Sequence, residues 1–386
     1  MLTRTVALVA LLLLALPAWR SSAEAQTKVR FALDWQIQGP QAPFITAKAL
    51  GAFAAQGLDV TIDRGTGSQK TIEQVATGTY DLGYGDINSM IEYNVKNPQT
   101  PLIAVGMVLN SPPFALLSLK RYGIRDPKDL KGASIGAPAG DAPRRLWPIF
   151  AKNIGLPADS VTWTNMAPPL REPALVKGDV KAISGFYFTG YLNLTENLKI
   201  PEADVVAFKY SDHGIDLYGN AVVARVDWLK ANADTVRRFL AALNTGFKAT
   251  LKDPTAAIAH IRAAEPLTNE STELKRLQLA ISANLINDEV RRNGLLAIDP
   301  ARMQRAIEQV VASFELGAKP TVAPVFTGAY LPPAADRKLD LNDGVKTIFA
   351  GAPRSPGPAA QPGTPAVRSG GGAWGRSGAA LPPMYI

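Results

Sequence analysis

Residues 29–90 leave this chain few folds to choose from. The apolar run Val29–Leu33 reads as a buried strand and breaks off at Asp34-Trp35. A loop bearing glycine and proline, Gln36–Pro43, leads into a helical segment that ends near Gly57. Leu58–Ile62 alternates apolar and polar residues, the pattern of a second strand. Gly65-Thr66-Gly67-Ser68 then turns into a second helix, with Ser68 placed to cap its N-terminus. Tyr80–Tyr84 predicts a third short strand, and Asp86 opens another helix. Strand, helix, strand, helix, strand means a parallel sheet with helices on its faces. Each of these loops leaves the carboxyl end of a strand, where open α/β sheets bind ligands.

The pattern then repeats. Pro101–Val108 predicts a strand, followed by Asn110-Ser111-Pro112-Pro113-Phe114 and the apolar Ala115–Leu119. A second unit begins near Lys131-Gly132-Ala133-Ser134-Ile135-Gly136, with Asp141 as N-cap of a helix running through Phe150. Val161–Thr164, Ala182–Phe188 and Val205–Tyr210 are further strands, and Ile215–Arg225 is expected to lead back to the first unit. Beyond Asp227 the periodicity turns helical, near residues 228–252, 254–264, 270–290 and 300–316. The fold class expected is α/β, as two doubly wound lobes.

The first unit carries a resemblance. Leu33-Asp34-Trp35, Gly51-Ala52-Phe53, Gly57-Leu58-Asp59-Val60, Gly67-Ser68, Ala76, Gly78 and Asp81-Leu82-Gly83 are similar to the signature of the thiamine-pyrimidine-binding family. These are type II periplasmic substrate-binding proteins of ABC importers, with relatives that bind sulfonates and nitrate. The likeness continues more weakly to about residue 335, through Asp129-Leu130-Lys131-Gly132 and Val176-Lys177-Gly178-Asp179-Val180. It implies a discontinuous lobe 1, residues 26–112 and 213–345, a lobe 2 of residues 113–212, a two-strand hinge between them and capture of a small molecule in the cleft. A planar N-heterocycle such as a thiamine pyrimidine precursor is the implied ligand, with a sulfonate or other small organic anion as the alternative. An ABC permease and its ATPase are the implied partners. An enzyme branch of the same family makes the thiamine pyrimidine with a cysteine-rich motif and a histidine in its first loop. This chain has no cysteine and carries Gln41 near that histidine's place, so the synthase reading fails on its own residues. A periplasmic sensor module is a third reading.

Composition narrows the chemistry further. Without cysteine there are no disulfides, no thiolate catalysis and no Cys-ligated metal sites, and no lipoprotein anchor. A formal charge of +8 in 386 residues, dispersed and partly carried by the two ends, does not argue for nucleic acid. Met1–Ala25 reads as a cleaved secretory leader, with Arg4, an apolar core Val6–Leu16 and Ala23-Glu24-Ala25 as cleavage site. That core is too short to span a bilayer. A periplasmic, monomeric protein without stable membrane insertion is therefore expected. Residues 346–386 form a tail rich in Gly, Pro, Ala and Ser for which disorder is the default.

Catalysis has little support, because the only histidines are His213 and His260 and no nucleophile elbow, P-loop or HExxH motif is present. No cofactor or metal is expected. The candidate ligand residues are Trp35, Gln38, Phe44, Gly67, Ser68, Asp86, Asn110, Phe114, Tyr187 and His213. Aromatic rings at strand ends can stack on a flat heterocycle, though Phe44, Trp147 and Phe186 can equally be core. Trp35 and Tyr187 each follow an apolar run directly into a loop. Gln38 stands where many pyrimidine binders carry asparagine. Gly67 and Ser68 can offer backbone N–H groups to a carbonyl or anion, and Asp86 can either accept from a ligand N–H or cap its helix. Asn110, Phe114 and His213 lie beside the crossings between the lobes.

Overall fold

A computed structural model describes residues 25–317 and 320–339. The expected leader, apart from Ala25, and the expected tail lie outside the described residues. Within them, the strands in chain order are β1 (Thr27–Ala32), β2 (Leu58–Asp63), β3 (Leu82–Asp86), β4 (Leu102–Met107), β5 (Phe114–Leu119), β6 (Ser134–Ala137), β7 (Thr162–Asn165), β8 (Ala182–Phe186), β9 (Val205–Lys209) and β10 (Asn220–Arg225). They form two five-stranded sheets, ordered β2-β1-β3-β10-β4 in lobe 1 and β7-β6-β8-β5-β9 in lobe 2. The chain passes from one sheet to the other between β4 and β5 and returns between β9 and β10, so two segments join the lobes.

The sheets are mixed rather than purely parallel. β1 runs parallel to β2, with Thr27 opposite Leu58 and Ala32 opposite Asp63, and parallel to β3. β10 inserts antiparallel between β3 and β4. Lobe 2 mirrors this, with β6 parallel to β7 and β8, and β5 antiparallel to β8 and β9. β10 and β5 arrive by crossing from the other lobe instead of through a crossover helix, and parallel pairing needs such a crossover.

Lobe 1 buries an aromatic cluster. Phe31 of β1 meets Phe44 and Phe239 with ring centroids 5.1 and 5.2 Å apart, and Phe44 meets Tyr84 at 4.9 Å. The helix Ala42–Ala49 lies tightly on the long helix Ala233–Lys252, because a Cβ at Gly246 would stand 2.2 Å from the Pro43 carbonyl oxygen. A side chain there would force the helices apart. A second core runs across the lobe boundary, from Ile72 and Val223 on one side to Phe114, Phe150 and Tyr210 on the other.

Several local expectations change: the helices expected from Asp141 through Phe150 and over residues 228–252 are each broken, at Leu146 and at Asn232. Ser68 does not cap its helix: Gly67 takes the cap position, and Ser68 is the first residue of the helix Ser68–Ala76. The strand expected through Phe188 ends at Phe186, since Tyr187 begins the helix Tyr187–Leu192. The helix expected over residues 270–290 is two, Glu270–Ala280 and Asp288–Asn293. They are separated by a wide turn, by Ile286 in extended conformation, and by Asn287, whose side chain accepts from the Val290 N–H.

Candidate functional site

The site starts from an acid placed where β1 runs out. Asp34 follows the buried Phe31-Ala32-Leu33, and the loop folds back over it: Gly67 N–H donates to the Asp34 carbonyl at 2.8 Å and Gly65 N–H to that of Trp35 at 2.9 Å. The Asp34 carboxylate is buried and accepts from Gln41 Nε2 at 3.2 Å and from Asn220 Nδ2 at 2.8 Å. Burial pushes its pKa up to about 7, against the opposing help of those two amides. Asp34, Trp35, Gln41, Gly67 and Ser68 are the lobe 1 wall of a small cavity of about 20 Å³, closed down between the lobes.

The opposite wall comes from lobe 2. Asp141 precedes the short helix Ala142–Arg145 and accepts from Ser184 Oγ at 2.7 Å. Burial raises the pKa of this carboxyl too, with the Arg171 charge pulling the other way. Arg171, itself buried, donates to Glu172 Oε1 at 2.6 Å and to the Ser184 carbonyl at 3.0 Å. Its guanidinium also sits over the Trp35 ring, 5.2 Å from the centroid, a contact between the lobes. Phe186, Phe188 and Thr189 complete the wall.

The cavity thus sets three aromatic rings, Trp35, Phe186 and Phe188, beside two acids and one arginine. Asp34 and Asp141 enter it from opposite sides, and Arg171 is already held by Glu172 and faced by Asp141 at 3.9 Å. Neither His213 nor His260 lines it. Among the described residues no group of three or more His, Cys, Asp or Glu could hold a metal ion.

Of the ten residues singled out in the sequence, the structure brings Trp35, Gly67 and Ser68 into this cavity. Gln38 lines an adjoining space and accepts from Thr189 Oγ1 across the lobes at 3.4 Å. The others stand elsewhere. Phe44 is fully buried in the lobe 1 core, and Phe114 lies in β5 against Phe186 and Tyr210. Asp86 caps the helix Ile87–Lys96 through Ser89 N–H, and burial pushes its pKa up to about 6. Asn110 belongs to a buried network at the crossing, accepting from Arg302 and donating to Glu289. Tyr187 turns outward, stacks on Tyr191 and lies under Lys209. His213 packs its edge on Phe150.

Five polar lining residues escaped that reading, Asp34, Gln41, Asp141, Arg171 and Thr189, beside the apolar Ala142, Phe186 and Phe188. An acid that stops an apolar run was visible at Asp34. Asp141 looked like an ordinary cap, although its side chain makes no capping hydrogen bond.

A family model described as NMT1/THI5 like matches residues 39–257, more than half of the chain. The chain belongs to this NMT1/THI5-like family. A relative within reach of sequence comparison is a Saccharomyces cerevisiae protein named 4-amino-5-hydroxymethyl-2-methylpyrimidine phosphate synthase THI13. It is 26% identical over 260 residues, which span 65% of this chain and 75% of the relative. Among solved structures, the alkanesulfonate-binding protein SsuA from Xanthomonas axonopodis pv. citri, bound to MOPS, aligns with a TM-score of 0.61 at 16% identity. The alignment covers 78% of this chain and 98% of SsuA. The periplasmic nitrate-binding protein NrtA from Synechocystis PCC 6803 aligns with a TM-score of 0.61 at 13% identity, covering 82% and 90%. At these identities the structural likeness establishes the fold: the NMT1/THI5-like chain has the two-lobed periplasmic binding protein architecture.

Proposed function

We propose that this chain is an exported solute-binding protein that captures a small planar N-heterocycle between its lobes and delivers it to an ABC permease. One observation carries the choice of ligand class. Two buried carboxyls, Asp34 and Asp141, enter the cavity from opposite lobes, while its single cation, Arg171, is neutralised by Glu172. An amino-substituted aromatic ring offers N–H donors to the carboxyls and a flat face to Trp35. A sulfonate or nitrate would meet like charge with no free cation to offset its desolvation. The family's link to pyrimidine chemistry points the same way. The chain acts as a binder rather than a synthase, since it has no cysteine at all and its two histidines stand outside the cavity.

Calorimetric titration tests this with 4-amino-5-hydroxymethyl-2-methylpyrimidine and with an alkanesulfonate of similar size. The aminopyrimidine is expected to bind and the sulfonate not to. Tight sulfonate binding with no response to the pyrimidine would overturn the reading, as would turnover of any pyrimidine precursor by the purified protein.

A further inference from the structure

The cavity has two rims, and only one is shut. On the first, Gln69 N–H donates to the Gly140 carbonyl across the lobes at 3.1 Å. The backbones touch so closely that a Cβ at Gly67 would stand 2.6 Å from that same oxygen. On the second rim, beyond Trp35, a space of about 300 Å³ opens, bounded by Gln36, Gln38, Pro168, Glu172, Asn193 and Leu198. Trp35 lines both spaces. A group attached to a ring in the inner cavity reaches this outer space past Trp35.

The outer space has a definite chemistry. No lysine, arginine or histidine lines it among the described residues. Its one charge is Glu172, whose two hydrogen bonds from Arg171 both fall on Oε1. Side-chain amides of Gln36, Gln38, Asn193 and Asn197 supply donors and acceptors, and Pro168, Pro169 and Leu198 supply apolar wall.

We infer that this outer space is a subsite for a second group carried by the bound heterocycle, and that the group is uncharged or cationic rather than phosphorylated. The inference rests on the N-heterocycle reading of the inner cavity. A phosphate there would lose its hydration beside Glu172, and the Arg171 guanidinium next to that carboxylate is already held by it. A cation or a hydroxyl-bearing ring instead gains Glu172 Oε2, on which neither hydrogen bond from Arg171 falls, and the side-chain amides.

Three probes test it by calorimetry: 4-amino-5-hydroxymethyl-2-methylpyrimidine, its phosphate monoester, and thiamine, in which the same ring is joined through one carbon to a cationic thiazolium. Thiamine is expected to bind about tenfold or more tighter than the bare ring, and the phosphate about tenfold weaker. Asn197→Trp fills the outer space from an exposed position outside the inner cavity. It should remove the advantage of thiamine while leaving the bare-ring affinity within about twofold. Equal binding of ring and thiamine, or tightest binding of the phosphate, would overturn the subsite and leave the heterocycle reading standing. Failure of all three to bind would remove the heterocycle reading and the subsite with it.

Discussion

Trp35 and Asp34 sit side by side, and each makes a separate demand on the ligand. If the Trp35 ring stacks on a flat ligand, Trp35→Ala should weaken binding by about 1–3 kcal/mol, roughly fivefold to 150-fold. The ring is half-buried and packs on the Arg171 guanidinium, so its loss opens no sealed void and the fold should persist. A folded Trp35→Ala protein with unchanged affinity would refute stacking. Asp34 predicts a pH dependence. Its carboxyl titrates at about 7 in the folded chain, against the ordinary value of 3.8. Below the unfolded value both states hold the proton and burial costs nothing. As pH rises toward 7 the unfolded chain ionises more readily than the folded one, so stability is lost and the cost is complete above about 7. The melting temperature of ligand-free protein should therefore fall between about pH 4 and about pH 7, and Asp34→Asn should flatten part of that fall. An identical slope in the variant would show that Asp34 is not the titrating group. Burial of this acid was not legible in the sequence, because Asp34 owes it to Gly65 and Gly67, which fold back over it from a distant loop.

Among the elements, the helix Glu270–Ala280 does more than its pattern announced. Its periodicity was readable, but its partner was not. Arg276 is fully buried and donates to the carbonyls of Phe188 and Thr189, at 2.8 and 2.9 Å, and to Asn193 Oδ1 at 3.0 Å. Glu273 holds it and also accepts from Gly39 N–H at 2.7 Å. The helix thus ties the first turn of Tyr187–Leu192 in lobe 2 to the loop after β1 in lobe 1. Arg276→Met strips four acceptors of their donor at once, and removal of one partner of a buried ion pair costs about 3–5 kcal/mol. Urea denaturation should show a midpoint lowered accordingly, and an unchanged midpoint would mean that water replaces the guanidinium freely. The break after Leu285 had a signal in Asn287-Asp288-Glu289, a cap followed by two acids in the first turn. The apolar spacing through Ile281, Leu285 and Ile286 outweighed it.

For the whole molecule, two doubly wound lobes could be read from strand and helix alternation in residues 29–90 and 133–190. The antiparallel central strands could not, because an apolar run carries no record of direction. The contact between lobes at Gln69 and Gly140 gives a direct test of clamshell motion. A Cβ at Gly140 would lie 3.3 Å from that of Gln69, close to the separation that a disulfide spans, and the chain has no cysteine to interfere. Oxidised Gln69→Cys/Gly140→Cys protein should neither take up ligand nor release it, and reduction should restore exchange. Ligand exchange at the wild-type rate in the locked protein would show that the cleft does not open at this rim.

The position of β10 also sets an order of assembly. All five strands of lobe 2 lie in one unbroken stretch, residues 114–209, whereas the fourth position in the lobe 1 sheet is filled only by residues 220–225. A chain emerging from its N-terminus therefore presents β1 to β4 long before their sheet can close. Until β10 arrives, β3 and β4 each offer an unpaired edge, and closing them spans more than a hundred residues of intervening chain. Lobe 2 can pair all its strands first, while the lobe 1 sheet, which holds Asp34 and Trp35 beyond β1, must wait for β10, and the core shared across the boundary closes last.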